Sequence, residues 1–166
     1  AITDSKRLAR KIDASGNLVY TIASDASGDE GSVRLFEAIT ADRNGNAYVL
    51  KTILDNSGLY VIGEELIRIS ADGSDTRLLY RAEYTTADNL LRVGRLQGLD
   101  VEGDNLYFFQ KNDTTATLFM LPTNAESVVP TTAVGTIEMP ENRYLKEVAG
   151  HSPERVFLTT KRGRLY

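Results

Sequence analysis

Between residues 36 and 84 the chain reads FEAITADRNGNAYVLKTILDNSGLYVIGEELIRISADGSDTRLLYRAEY, and this stretch leaves few folds open. FEAIT, AYVLKTIL, EELIRIS and TRLLYRAEY are four runs rich in β-branched, aromatic and aliphatic residues. DRNGN and ADGS carry the Gly, Asn and Asp that supply positive φ angles in tight turns, and DNSG opens a longer connection over 55–64. Four strands joined by three turns within so short a span make one antiparallel meander.

The rest of the chain follows the same grammar. Residues 7–22, RLARKIDASGNLVYTI, predict a hairpin turning at 14–17, and 24–32, SDASGDEGS, a polar loop. Residues 85–93 form a connection with room for one helical turn capped by Thr86 or Asp88. RLQGLD, LYFFQ and TLFML are further strands, the last stopped by Pro122, which has no N–H for a ladder. A loop over 123–131 and a strand over 132–139 come next. Then 143–149 and 155–160 pair around a turn at His151, Ser152, Pro153 and Glu154. Only 82–91 and 140–148 hint at helical periodicity, so the class is all-β.

The runs recur. Setting 36–50 against 97–109 brings Tyr48 onto Tyr107, Asn46 onto Asn105 and Asp42 onto Val101, and 146–158 brings Phe157 to the same aromatic position. Ile12 and Gly16 fall on Ile69 and Gly73. Both alignments give a unit of roughly 50–60 residues, one four-stranded meander. The pieces are 7–22, 34–84, 94–139 and 143–166, about three units in all.

With DRNGNAYVL at the first hairpin of a unit, the sequence resembles the β-propeller superfamily, nearest to six-bladed kinds with NHL-like or YVTN-like blades. The Trp–Asp signature of WD40 repeats and the paired glycines of kelch repeats are missing. The resemblance implies stacked blades whose inner strands are covered on both faces, in keeping with the continuous runs AYVL and LYFF. A β-sandwich of two sheets is the alternative. Closed propellers have four to eight blades, so three imply either a piece of something longer, as the opening AITDSK suggests, or two chains closing a six-bladed ring as a homodimer.

Composition narrows the function. A net charge of −4, with only small basic clusters at Lys6, Arg7, Arg10 and Lys11 and at Lys161, Arg162 and Arg164, argues against nucleic acid. No apolar run approaches the 18 residues of a membrane-spanning helix. Cysteine is absent, which removes disulfides, zinc–thiolate sites and cysteine nucleophiles from this chain. The pattern Asn112, Asp113, Thr114 fits a glycosylation acceptor but is common by chance.

Chemistry is sparse. His151 is the single histidine and reads as a turn residue, so no catalytic residue is assigned. Asp25, Ser27 and Asp29, and Asp42, Asn44 and Asn46, offer alternate oxygens, yet neither set fits an EF-hand, and Asp and Asn more often bond their own turn backbone. Glu64 and Glu65 point to opposite faces of a strand, and Asp72 and Asp75 sit in a turn. Some propellers of the lactonase type hold a divalent cation in the central channel. The resemblance implies Glu37, Gln97 and Glu147, one per unit, as candidate ligands for a cation such as calcium. Function is otherwise expected in the long connections, where Tyr60, Tyr84, Arg92 and Arg95 form a candidate binding surface. The leading expectation is a non-catalytic segment that binds a small molecule or a protein. The resemblance suggests the extracytoplasmic sensing or scaffolding part of a larger bacterial protein. A metal-dependent, lactonase-like hydrolase is the alternative.

Overall fold

A computed structural model describes residues 2–3, 7–24, 33–85, 94–112, 114–126, 128, 131–138, 145–152 and 155–160, with backbone alone for 2–3 and 145–160. Every regular element among the described residues is a β-strand, and the sheets are antiparallel. The strands are β1 (Ile2–Thr3), β2 (Leu8–Ile12), β3 (Leu18–Ala23), β4 (Val33–Ala41), β5 (Ala47–Leu54), β6 (Val61–Ile69), β7 (Thr76–Glu83), β8 (Arg95–Glu102), β9 (Asn105–Lys111), β10 (Thr115–Pro122), β11 (Thr132–Glu138), β12 (Leu145–Ser152) and β13 (Arg155–Thr160). They form four open sheets in sequential order, β1-β2-β3, β4-β5-β6-β7, β8-β9-β10-β11 and β12-β13, and none closes into a barrel. The chain divides into two compact units, 1–83 and 84–166.

The central strands of the first unit are apolar runs because both their faces are covered. All of β5 except Leu54 is buried, and Tyr48, Val49 and Leu50 are essentially sealed from solvent. Edge strand β7 buries only Leu79 and Ala82, and Thr76, Arg81 and Glu83 are exposed. Ala47 and Val49 share a face with Ile67 and Ile69 of β6, and Phe36 joins them. Ala9, Tyr20 and Ile22 of the β1–β3 sheet pack onto that face.

The turns repeat in atomic detail. At 13–17 the N–H of Asp13 donates to the Asn17 carbonyl (2.9 Å) and that of Gly16 to the Asp13 carbonyl (3.1 Å). At 42–46 Asp42 and Gly45 make the same pair of bonds at 3.0 and 3.1 Å. The loops 55–60 and 70–75 are one residue longer and keep the pattern, with Gly58 and Gly73 donating to Asp55 and Ser70. The fourth residue of each is a glycine with φ between 71° and 87°, the left-handed region that other residues enter at a cost.

Two contacts join the turn ends of the first two sheets. Lys11 Nζ donates to the carbonyls of Gly45 (2.8 Å) and Ala71 (2.6 Å). The Tyr20 ring lies against Gly73 so closely that a Cβ there would sit 2.7 Å from two ring carbons.

In the second unit Tyr107, Phe109, Ala116 and Leu118 form a core joined by Met120 and Ile137. On the opposite face of β9, Phe108 stacks on its cross-strand partner Phe119, with ring centroids 5.8 Å apart. Outside its own sheet, the backbone of β12 runs closest to β8, with a lesser approach to β9.

Several sequence expectations need correcting. Strand β6 begins at Val61, so the connection expected over 55–64 is only the loop 55–60. Strand β4 starts at Val33, earlier than FEAIT indicates. Residues 145–148, part of a weak helical candidate, are strand, and so are His151 and Ser152, expected in a turn. The adjacent polar pair Lys146 and Glu147 breaks the alternation expected of a strand, and pairing with the partner strand β13 decides the matter. The helical turn expected within 85–93, the Asp25, Ser27 and Asp29 set and the C-terminal basic cluster lie outside the described residues.

Alanine at Gly16 and at Gly73 separates backbone conformation from packing. Nothing stands within 4 Å of a Cβ at Gly16, where φ is +87°. Gly16→Ala should therefore cost only the left-handed conformation, about 1–2 kcal/mol. Gly73→Ala must also displace Tyr20, and urea unfolding is expected to show at least about 1 kcal/mol more destabilisation.

Candidate functional site

The acidic turns were one source of candidate cation ligands, and the structure shows what their carboxylates do. Asp42 Oδ1 accepts from the N–H of Asn44 and of Asn46, both at 2.9 Å. Its Oδ2 accepts from the Asn46 amide (2.8 Å) and the Tyr48 hydroxyl (3.1 Å). Burial opposes the charge of Asp42, but bonds from Asn46, Tyr48 and Asn44 outweigh it and hold the carboxyl below its ordinary range. Asp13 binds Ser15 and Asn17 in the same manner. Its carboxyl is lowered chiefly by the Asn17 N–H. Asp55 is lowered chiefly by the Ser57 hydroxyl. Asp72, held by the hydroxyl of Ser70 and by Ser74, falls to about 2. These carboxylates act as turn caps.

The other acidic pairs are also engaged. Glu65 reaches Lys51 (3.9 Å) and Arg81 (3.8 Å) across neighbouring strands. Glu64 turns to the opposite face, where its Oε1 lies 3.5 Å from the Thr52 hydroxyl. Asp75 pairs with Arg77 at 2.7 Å. No cluster of three acidic or histidine side chains suited to a metal occurs among the described residues.

Glu37, Gln97 and Glu147 share a structural station. In β4, Phe36 pairs with Lys51 and Ala38 with Leu50, which leaves Glu37 as an extra residue. In β8, Gln97 pairs with Phe109 and Asp100 with Tyr107, so Gly98 and Leu99, directly after Gln97, stand opposite the single residue Phe108. In β12, Leu145 pairs with Thr160 and Glu147 with Thr159, and the extra residue directly precedes Glu147. Each therefore sits at or beside a β-bulge in the first strand of its sheet, a place where side chains are re-aimed. Glu37 is exposed, while the Oε1 of Gln97 is buried with no hydrogen-bond partner among the described residues. For Glu147 the backbone alone is described.

The expected binding surface is brought together only in part. Tyr84 and Arg95 meet, with the guanidinium 5.9 Å from the ring centroid. The Tyr84 hydroxyl donates to the Gly94 carbonyl (2.7 Å), and the Gln110 amide donates to the same oxygen (3.1 Å). Tyr84 thus clasps the two ends of its own connection. Arg92 lies outside the described residues. Tyr60, in the other unit, is 44% exposed beside Leu59 at 77% and Ile62 at 43%. The loop under these side chains is fixed by Asp55, which accepts from the Ser57 hydroxyl (2.8 Å) and from the N–H groups of Leu59 (3.1 Å) and Tyr60 (3.2 Å). Sequence reading found Tyr60 but missed Leu59 and Ile62, since exposure is invisible in an apolar run.

It also missed a cavity of about 390 Å³ in the first unit. Lys11 and Tyr20 line it from the β1–β3 sheet, and Ile39, Ala47 and Ile69 line it from the four-stranded sheet. In the sequence Lys11 is one of a small basic cluster, which gives no sign of a cavity.

The turn carboxylates set a pH dependence. Their folded pKa values lie below the unfolded value, so their stabilisation is complete above about pH 4 and is lost as pH falls through the folded values, reaching about 2 for Asp72. Urea unfolding between pH 7 and pH 2 is expected to show a decline confined to the acid limb. That decline should be shallower in Asp42→Asn, whose amide oxygen accepts without titrating.

No family model matches the chain, and no curated protein matches it. Among solved structures, a luciferin-regenerating enzyme is similar over 93% of this chain and 64% of that one, at 12% identity and a TM-score of 0.41. The chain thus spans just under two thirds of that structure's length, and a likeness so slight carries no assignment.

Proposed function

We propose that this chain is a run of β-propeller blades that serves as a non-catalytic binding segment, with protein as the partner at its β5–β6 loop. The observation that carries the binding role is the exposure of three large apolar side chains within four residues, Leu59 and Tyr60 on the loop that Asp55 fixes at its base and Ile62 at the start of β6. Single exposed apolar residues are ordinary, whereas a group of them on a rigid loop is what an interface core requires. The pre-set backbone also lowers the ordering cost of binding.

Three features support reading the sheets as blades. The two four-stranded sheets are plain meanders, with strands paired in chain order and without the crossing connections of Greek-key sandwiches. Each of β4, β8 and β12, the first strands of successive sheets, carries an extra residue. Within the second unit the approach of sheet to sheet is first strand to first strand, β12 to β8. Blades fan out from a centre in that way, while facing layers of a sandwich approach across their breadth.

Peptide-display selection against the chain tests the binding role. Selected peptides are expected to lose at least about tenfold in affinity for a Leu59→Ser, Tyr60→Ser variant, equivalent to 1.4 kcal/mol. The stability of that variant should change by no more than about 0.5 kcal/mol per exposed site. Peptides that bind both forms equally would remove the loop from the proposal.

A second reading, a hydrolase assisted by a divalent cation, is favoured by one observation: the unpartnered buried Oε1 of Gln97 at the bulge it shares in kind with Glu37 and Glu147. Hard cations are held by such oxygens. On this reading millimolar calcium raises the thermal midpoint by about 5 °C, and Gln97→Ala cancels the rise. An unchanged midpoint in the parent chain tells against it.

A further inference from the structure

We infer that the cavity between the β1–β3 sheet and the β4–β7 sheet is a binding site for a small organic monocarboxylate, with Lys11 as the group that receives the carboxylate. The proposal is independent of the β5–β6 loop and goes beyond the reading given for it.

The argument starts from the donors of Lys11. An ammonium group has three N–H donors. Two are used, on the carbonyls of Gly45 (2.8 Å) and Ala71 (2.6 Å); the Tyr20 ring lies 5.9 Å away on centroid distance, and among the described residues the third donor has no hydrogen-bond acceptor. Nor does a carboxylate within 4.0 Å balance the charge of Lys11 among them, because the acids nearest in sequence to its two carbonyls, Asp42 and Asp72, are bonded to the amides and hydroxyls of their own turns. The two carbonyls fix the position of the ammonium group, so its remaining donor is held in place before any ligand arrives.

The surroundings set the class of ligand. Lys11 lines the cavity together with Ala9, Ile39, Ala47 and Ile69, four members of the apolar core or packed against it. At about 390 Å³ the space falls in the range that holds small ligands. Arg10 also lies on the lining but is exposed, whereas Lys11 is fixed by two backbone carbonyls, and a fixed ammonium group suits a singly charged carboxylate. A phosphate group would call for several converging donors. An apolar floor suits a short hydrocarbon or aromatic body, with its acid group directed to Lys11.

The experiment is an amide-resolved NMR titration of the full chain at pH 7 with phenylacetate and, in parallel, with phenylacetamide, its neutral counterpart. The expected result is a saturable shift of the Lys11, Ala41 and Gly45 amides with phenylacetate, and at least about tenfold weaker binding of the amide. Lys11→Met should bring the acid down to the level of the amide. Because Lys11 also holds two turns, a second variant is needed that leaves it in place. Ala41→Trp, at an exposed position on the lining, fills the cavity and should abolish the shifts while the rest of the spectrum is retained. Equal binding of acid and amide, full binding by Ala41→Trp, or no saturation up to about 20 mM would overturn the proposal.

Discussion

Strand β5 has seven buried residues out of eight, and a strand of that kind cannot face water on either side. Fully covering a large apolar side chain is worth about 1.5–3 kcal/mol, against about 0.2–1 kcal/mol for a cross-strand pair. Burial of the sheet's faces therefore outweighs the pairing of its strands, and the β4–β7 sheet needs a cover. The β1–β3 sheet supplies it on one face, through Ala9, Tyr20 and Ile22. Strand β9, with Leu106, Tyr107, Phe108 and Phe109 all buried, sets the same requirement in the second unit.

Close packing of sheets constrains their turns. Gly73 is needed for its left-handed backbone and also because Tyr20 occupies the space a side chain would take. Lys11 bridges from one sheet to two turns of the next, and its reach explains how a cation is tolerated beside an apolar core: its head finds backbone carbonyls while its stem lies along the sheet. The acidic residues of the turns are committed to their own loops for a related reason. A chain that reverses in four or five residues leaves N–H groups pointing inward, and an aspartate at the first position satisfies two of them at once. Alternate oxygens in such a turn therefore reflect backbone geometry before they suggest a metal.

Function, where this architecture allows it, falls in what the packing leaves over. Tyr84 is absorbed into the fold by its bond to Gly94, whereas Leu59 and Tyr60 are left outside on a loop too well anchored to collapse, with Ile62 beside them at the start of β6. The cavity beside Lys11 likewise lies where two sheets meet at their turn ends.

The sequence by itself determined the all-β class, nearly all the strands and the glycine turns. These depend on neighbours a few residues away: apolar runs, the freedom of glycine at positive φ, and Asp and Asn bonding the nearby backbone. It also determined that Glu64 and Glu65 cannot act together, which follows from alternation alone. Strand ends were less legible, since Val33 and Val61 become strand by pairing with Leu54, a pairing that the residues next to them do not signal. Only the tertiary structure decided that Lys11, Gly45 and Ala71 meet, that Gly73 lies under Tyr20, and that Tyr84 and Tyr60 have opposite fates. Those outcomes depend on which face of which sheet is covered, and a pattern along the chain carries no information about the residues that arrive from 34 or 60 positions away.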